Sequence, residues 1–203
     1  VPLTSSAGRF LTAGALAAVL LGGAGAGVAV AAPPATPVAA AAPYAKIRPL
    51  AELSAQRLAT ADLVAAAKYG TGGPIDDPAR EQQVLDDVAR QARELGADPE
   101  ATVRIFRDQI EANKVVQRGL FRRWDADPSQ APTERPDLAE VRKEINRING
   151  QLVSAIAASE GARTAPSCGG VLAAAAVRVR YEDRLDALHT VALGRAVGSV
   201  CAG

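Results

Sequence analysis

From Leu50 to the end of the chain, apolar side chains return every third or fourth residue and almost never every second one, which is the spacing of helices and not of strands. Leu50, Leu53, Arg57, Ala61, Val64 and Lys68 mark a first helix, and the glycines from Gly70 to Gly73 break it. Asp77-Pro78 is a start signal, an N-cap acceptor followed by a proline whose missing N–H and fixed φ suit the first helical position. The helix it opens is predicted to run to Leu95 and to stop at Gly96. Asp98-Pro99 repeats the signal, and a third helix continues through Val103, Phe106, Ile110, Asn113, Gln117, Leu120 and Trp124. A Pro-rich loop from Asp125 to Pro136 leads to a fourth helix carrying Leu138, Arg142, Ile145, Leu152 and Ile156 on its buried side. Ala165-Pro166-Ser167 caps a last region, Cys168 to Cys201, expected to be two helices with a break near Arg180 to Asp183. The pattern predicts an all-α fold, about six helices in one helical domain over residues 44–203, with the packed part starting near Tyr44 or Leu50.

Ahead of that domain the pattern changes. No charged side chain occurs from Phe10 to Ala32; Arg9 precedes the run and Ala29-Val30-Ala31-Ala32 ends it, which reads as a cleaved secretory signal over residues 1–32. A membrane anchor is the alternative, since the run is long enough to span. Only Leu16 to Leu21 is strongly apolar, however, and the run turns Gly-rich and ends in prolines. Residues 33–43, made of Ala, Pro, Val and Thr, are expected to be a flexible tether. The chain opens on Val1 and contains no Met, as a non-AUG start codon read literally would give. These features predict a secreted or periplasmic (cell-envelope) protein with no stable membrane insertion after cleavage. In such a compartment Cys168 and Cys201 are expected to form a disulfide across the ends of a helix hairpin, two buried free thiols being the alternative.

Charge narrows the function. The chain has 23 Lys+Arg and 22 Asp+Glu, and loss of Arg9 with the leader leaves the two balanced. A nucleic-acid partner is therefore not expected, and basic residues must act singly rather than as a patch. Several of them interrupt the apolar stripes. Arg57 and Lys68, eleven residues apart, fall on one face, because eleven steps of about 100° make three turns and roughly 20°. Asn113 and Gln117 lie one turn apart between Ile110 and Leu120, Arg142 sits beside Val141 and Ile145, and Arg80 occupies the first turn of the second helix. Each alone reads as a side chain reaching back to water. Together, four helices turn cations or amide donors inward with no matching set of inward acids. Buried charges need partners, and a ligand carrying carboxylates or phosphates would supply them. No cofactor and no metal are expected. His189 is the only histidine and reads as structural, the cysteines are expected to be paired, and the glycines from Gly22 to Gly27 lie in the leader and follow no strand.

The order and spacing of these residues resembles the secreted gamma subclass of the all-helical chorismate mutases, over about Leu50 to Cys201. The landmarks are Arg57-Leu58 with Lys68, Pro74-Ile75-Asp76-Asp77, Arg80-Glu81, the run from Phe106 to Lys114 with Gln117, and Phe121 to Trp124. They continue with Ala131-Pro132, Pro136-Asp137-Leu138, Arg142 and two cysteines 33 residues apart. The resemblance implies a cofactor-free isomerase that rearranges chorismate to prephenate, exported and so apart from the cytoplasmic shikimate pathway of aromatic amino-acid biosynthesis. It implies that Arg57 and Arg142 hold the two substrate carboxylates, that Lys68 reaches a carboxylate and the ether oxygen, and that Gln117 donates to the ether oxygen from the other side. Asn113, where Ser or Thr is usual, would contact a carboxylate, and Asp77, Arg80 and Glu81 would lie near the ring hydroxyl. Some members have Glu at the Gln117 position and Gln at the Val84 position. Each subunit would build its own site, with a homodimer possible but not required. Two other readings keep the same cations: a non-catalytic exported helical module that binds a small dianion or a protein partner, and a structural envelope protein whose inward cations are solvated.

Overall fold

The computed structural model describes residues 37–201, which form seven α-helices and one 3-10 turn, with no strand among them. The leader and the first residues of the tether lie outside this span. Helix α1 covers Pro37–Lys68, α2 Pro78–Glu94, α3 Pro99–Ala126, α4 Leu138–Ala158, α5 Glu160–Arg163, α6 Cys168–Glu182 and α7 Ala187–Ala196. The 3-10 turn, Pro128–Gln130, interrupts the loop between α3 and α4.

The long helix α1 is the axis of the domain. It packs against α3, α4, α6 and α7, while α2 lies across α3 and α4. Surrounded in this way, α1 buries side chains nearly all round: Ile47, Leu50, Ala51, Leu58, Ala61 and Ala65 are fully inaccessible. Many of these residues are alanines, which let neighbouring helices come close. The closest approach is elsewhere, between α3 and α7: a Cβ added to Gly119 would sit 2.6 Å from Leu188 Cδ1. Helix α1 begins at Pro37, so the Ala/Pro-rich stretch is helical from there on, with Pro43 and Pro49 inside the helix. Each of these prolines removes one ladder donor.

Capping chemistry sets the other helix ends. Asp77 accepts from the N–H of Arg80, and Asp98 from those of Glu100 and Ala101, each followed by proline at the first helical position. Gly96, at φ 71°, takes the left-handed conformation that ends α2. Two boundaries differ from the sequence reading. A single turn, α5, precedes α6, and α6 continues through Glu182, so the break to α7 falls at 183–186. The chain reverses there at Arg184, which adopts φ 51° without being glycine. Cys168 at the start of α6 and Cys201 beyond α7 form the disulfide, with Cα atoms 5.8 Å apart. At the other end of α1, Tyr69, Phe121 and Trp124 make an aromatic cluster that joins α1 to α3, and the Tyr69 hydroxyl donates to Asp125.

Candidate active site

A cavity of about 740 Å³, its mouth included, opens among α1, α2, α3 and α4. Its apolar walls are Val64, Ile75, Val84, Ile110, Leu138 and Ile145. All eight residues singled out from the sequence line it: Arg57, Lys68, Asp77, Arg80, Glu81, Asn113, Gln117 and Arg142. The helical period explains the convergence. Arg57 and Lys68 share the inward face of α1, Asn113 and Gln117 that of α3, and Arg142 projects from the second turn of α4.

Arg57 is buried, 5% exposed. Its Nε donates to Asn149 Oδ1 at 2.9 Å and its Nη1 to the Gln109 carbonyl at 3.0 Å. Both partners are neutral, and among the described residues no carboxylate pairs with it. Burial accordingly pulls its pKa down to about 10, which still leaves it a cation at neutral pH. Gln109 is itself anchored, donating to Ser54 Oγ and to the Ala196 carbonyl. Asn113 donates to the Arg57 carbonyl at 3.2 Å, and this bond ties α3 to α1 at the cavity floor.

Lys68, at the last turn of α1, is half-buried and donates to the Pro74 carbonyl at 2.8 Å. Burial lowers its pKa; the Asp77 carboxylate opposes this and the Arg142 charge adds to it. Arg142 is exposed and makes no side-chain hydrogen bond or ion pair among the described residues. Gln117 is 5% exposed, and its Oε1 is buried without a hydrogen-bond partner. A buried polar atom left unpaired costs about 1–3 kcal/mol, so this amide awaits a ligand or a water.

The far corner of the cavity, where α2 begins, is acidic. Glu81 Oε1 accepts from the backbone N–H of Asp77, reciprocating the cap that Asp77 gives α2. Glu81 Oε2 accepts from Lys114 at 2.9 Å. Lys114, only 8% exposed, also meets Glu111 at 2.9 Å and Asp76 at 3.2 Å. Burial alone would lower its pKa, but the three carboxylates outweigh burial and raise it.

Lys114 is the residue the sequence reading missed, and it corrects the expectation that no acids face inward. The correction is local: acids surround Lys114, while Arg57 has none. Asn149 and Gln109 were missed too, because each serves Arg57 from a distant stretch of chain. Only their inward register within α4 and α3 hinted at them.

The arrangement suits a small dianion with an apolar body. Arg57, Lys68 and Arg142 supply cations without an ion-pair partner among the described residues, Asn113 and Gln117 supply amides, and acids gather at the start of α2 around Lys114, while the aliphatic walls would displace water and strengthen each contact. Among the described residues no group of His, Cys, Asp and Glu could hold a metal ion.

Comparison with known proteins adds an independent line. The family model described as chorismate mutase type II matches residues 48–118. The protein named secreted chorismate mutase from Mycolicibacterium smegmatis is 39% identical over 166 residues, covering 82% of this chain and 92% of that one. Its namesake from Mycobacterium tuberculosis is 35% identical over 170 residues, covering 84% of this chain and 85% of that one. Among solved structures, chorismate mutase from Burkholderia phymatum superposes with a TM-score of 0.75 at 36% identity, over 80% of this chain and 99% of that one.

Proposed function

The chain belongs to the chorismate mutase family and acts as a chorismate-to-prephenate isomerase, and we propose that the cavity lined by Arg57, Lys68, Gln117 and Arg142 is where the reaction occurs. The observation that carries this reading is the empty charge balance of the cavity. Arg57 is a deeply buried cation with only neutral partners, and Gln117 is a buried amide with an unpaired oxygen. A dianionic substrate supplies the negative charge that Arg57 lacks and accepts from the Gln117 amide NH2; the Gln117 oxygen, itself an acceptor, needs a donor such as water.

The reaction breaks the ether C–O bond and forms a C–C bond within one molecule, so atoms and electrons balance without a co-reactant. It needs the flexible substrate held with its two reacting termini together. It also needs donors aimed at the ether oxygen, where negative charge grows as the bond lengthens. Arg57 and Arg142 hold the two carboxylates, and Asn113 assists at one of them. Lys68 bridges a carboxylate and the ether oxygen, and Gln117 donates to that oxygen from the opposite side. Asp77, Arg80 and Glu81 meet the ring hydroxyl. Val64, Ile110 and Ile145 offer the aliphatic surface against which the ring packs. No protein group forms a covalent bond in this scheme, and no cofactor is required.

The protein is secreted, as its curated relatives are by name. Cleavage of the leader after Ala32 would expose Pro33 as the mature N-terminus. Among the described residues no helix is long and apolar enough to cross a membrane. Every residue assigned to the site comes from one chain, so a homodimer is compatible with activity but not needed for it.

The test follows loss of chorismate absorbance with purified mature protein and with Lys68→Met and Gln117→Ala. Each variant should lose about 10²–10³ in kcat with the fold retained, the usual consequence of removing one transition-state donor. Variants that keep wild-type kcat would move the reaction out of this cavity.

A further inference from the structure

We infer that Lys114 is a positioning residue for the reaction: it fixes the start of α2, and with it Asp77, Arg80 and Glu81, against α3. This rests on the site proposed above. A lysine ammonium has three N–H donors. Lys114 Nζ lies 2.9 Å from Glu81 Oε2, 2.9 Å from Glu111 Oε1 and 3.2 Å from Asp76 Oδ1. All three donors are taken, so Lys114, though on the cavity wall, is not a further cation for the substrate carboxylates. Its work is done through its partners.

Those partners form a chain of contacts that ends at the site. Glu81 holds Lys114 with one oxygen and the backbone N–H of Asp77 with the other. Asp77 in turn caps the N–H of Arg80. Asp76, the residue before the cap, is gripped a second time by Arg118, whose Nη2 lies 2.7 and 2.8 Å from its two oxygens. The connection between α1 and α2 is tied back to α1 by the hydrogen bond from Lys68 Nζ to the Pro74 carbonyl, but this fastening stops short of Asp76 and Asp77. The connection contains Gly70 and Gly72, both at positive φ, and the Cβ of neither would meet a tight contact. The pins from α3 therefore set where α2 starts. Burial separates the central pair from an ordinary surface ion pair: the Lys114 side chain is 10% and that of Glu81 25% exposed, so this contact is less screened by water than those to the more exposed Asp76 and Glu111.

The kinetic consequence is specific. Arg57 and Gln117 act from the middle of long helices and stay in place when this corner loosens. The groups at the start of α2 meet the ring hydroxyl alike in the ground state and in the transition state, so their displacement weakens binding without slowing the chemical step. Lys114→Met should raise KM by about tenfold with kcat within about threefold. Lys114→Arg, which can still hold carboxylates, should restore most of the KM, and Asp76→Asn should raise KM in the same direction by less. Double-variant cycles should find Lys114→Met and Asp76→Asn coupled in KM.

Thermal unfolding and steady-state kinetics on these variants, with Lys68→Met in parallel, decide the matter. If Lys114→Met fails to fold, Asp76→Asn and Lys114→Gln read the same KM effect. An unchanged KM in the folded variants, or a fall in kcat at unchanged KM, would overturn the inference. Wild-type kcat in Lys68→Met would instead overturn the site on which it rests.

Discussion

Replacing Arg57 with methionine should abolish most of the activity while leaving stability nearly where it was. The stability side follows from the environment of the guanidinium. Burial holds its pKa down at about 10, well below the usual arginine range. At about 1.4 kcal/mol per pH unit, that depression means the folded, empty protein carries its charge at an expense of roughly 3 kcal/mol. Methionine removes this penalty and fills much of the same volume. Against the gain stand two lost hydrogen bonds, from Nε to Asn149 and from Nη1 to the Gln109 carbonyl, each worth about 1 kcal/mol net and more if the acceptor is left dry. The opposing effects are similar, and the expected change is within about 2 kcal/mol of zero. The activity side has no such compensation, and kcat/KM should fall by at least about 10²–10³. Urea unfolding and the chorismate assay on the same preparation measure both. A product or analogue dianion should raise the unfolding free energy of wild type, by about 2.7 kcal/mol at one hundred times its Kd, and leave the variant unmoved. If Arg57→Met instead loses more than about 4 kcal/mol of stability while its folded fraction keeps near wild-type kcat/KM, the guanidinium is a structural strut and the site assignment falls.

Four further outcomes are expected. Because an amide donates without titrating, wild-type kcat/KM should be flat from about pH 5.5 to 8.5, and Gln117→Glu should make it decline as the new carboxyl ionises; the same flat profile in both would remove Gln117 from the ether oxygen. On the alkaline side the wild-type profile should fall earlier than a free lysine would dictate, since burial lowers the pKa of Lys68. His189 bridges Asp62 on α1 and Asp186 at the start of α7, with Arg123 of α3 also on Asp186. The hydrogen bond to Asp62 is the largest effect on its pKa, and with Asp186 it outweighs burial to raise that pKa from 6.5 to about 9. Its contribution is full below about pH 6.5 and lost as pH rises through about 9, some 1–2 kcal/mol after allowance for partial exposure, and His189→Asn should flatten unfolding stability over that window. Reduction of the Cys168–Cys201 disulfide, which closes 33 residues, should lower stability by about 3–4 kcal/mol, and unchanged denaturation midpoints after reduction would contradict it.

The parts of this molecule that are legible in the sequence are those whose causes are local. Asp77-Pro78 and Asp98-Pro99 start helices because a short acceptor and a missing N–H act within one turn, and the observed helices begin at Pro78 and Pro99. Gly96 ends α2 for an equally local reason. The break before α7, expected near Arg180 to Asp183, falls slightly later because the usual marker of positive φ, a glycine, is absent at Arg184, where the Leu185 N–H donating to the Arg180 carbonyl closes the turn. The single turn α5 is too short to carry a period. In the candidate site the same division holds. Periodicity alone puts Arg57 with Lys68 and Asn113 with Gln117, and the cavity is lined by all four. Periodicity cannot say which charges will meet across helices. Lys114 follows Asn113 by one residue, and its partners Asp76 and Glu81 lie on another element.

That limit bears on the inward cations as a group. Arg57, singled out from the sequence, and Lys114, which was not, are both buried cations, and a buried cation invites the inference of an anionic partner. The structure separates them by their partners. Lys114 has all its donors met by acids of the same chain, so it needs nothing from outside and serves as a fastening. Arg57 is held by an amide oxygen and a carbonyl, which orient a guanidinium but do not neutralise it. A well-packed apolar residue would serve stability at that position at least as well. What the position gains from an oriented, uncompensated charge is readiness for a dianion, because the desolvation is already complete before substrate arrives and little reorganisation remains for the reaction step. The two residues therefore predict different mutational signatures, a rise of about tenfold in KM for the fastening and a loss of at least about 10²–10³ in kcat/KM for the charge, and the contrast is sharper than either measurement alone.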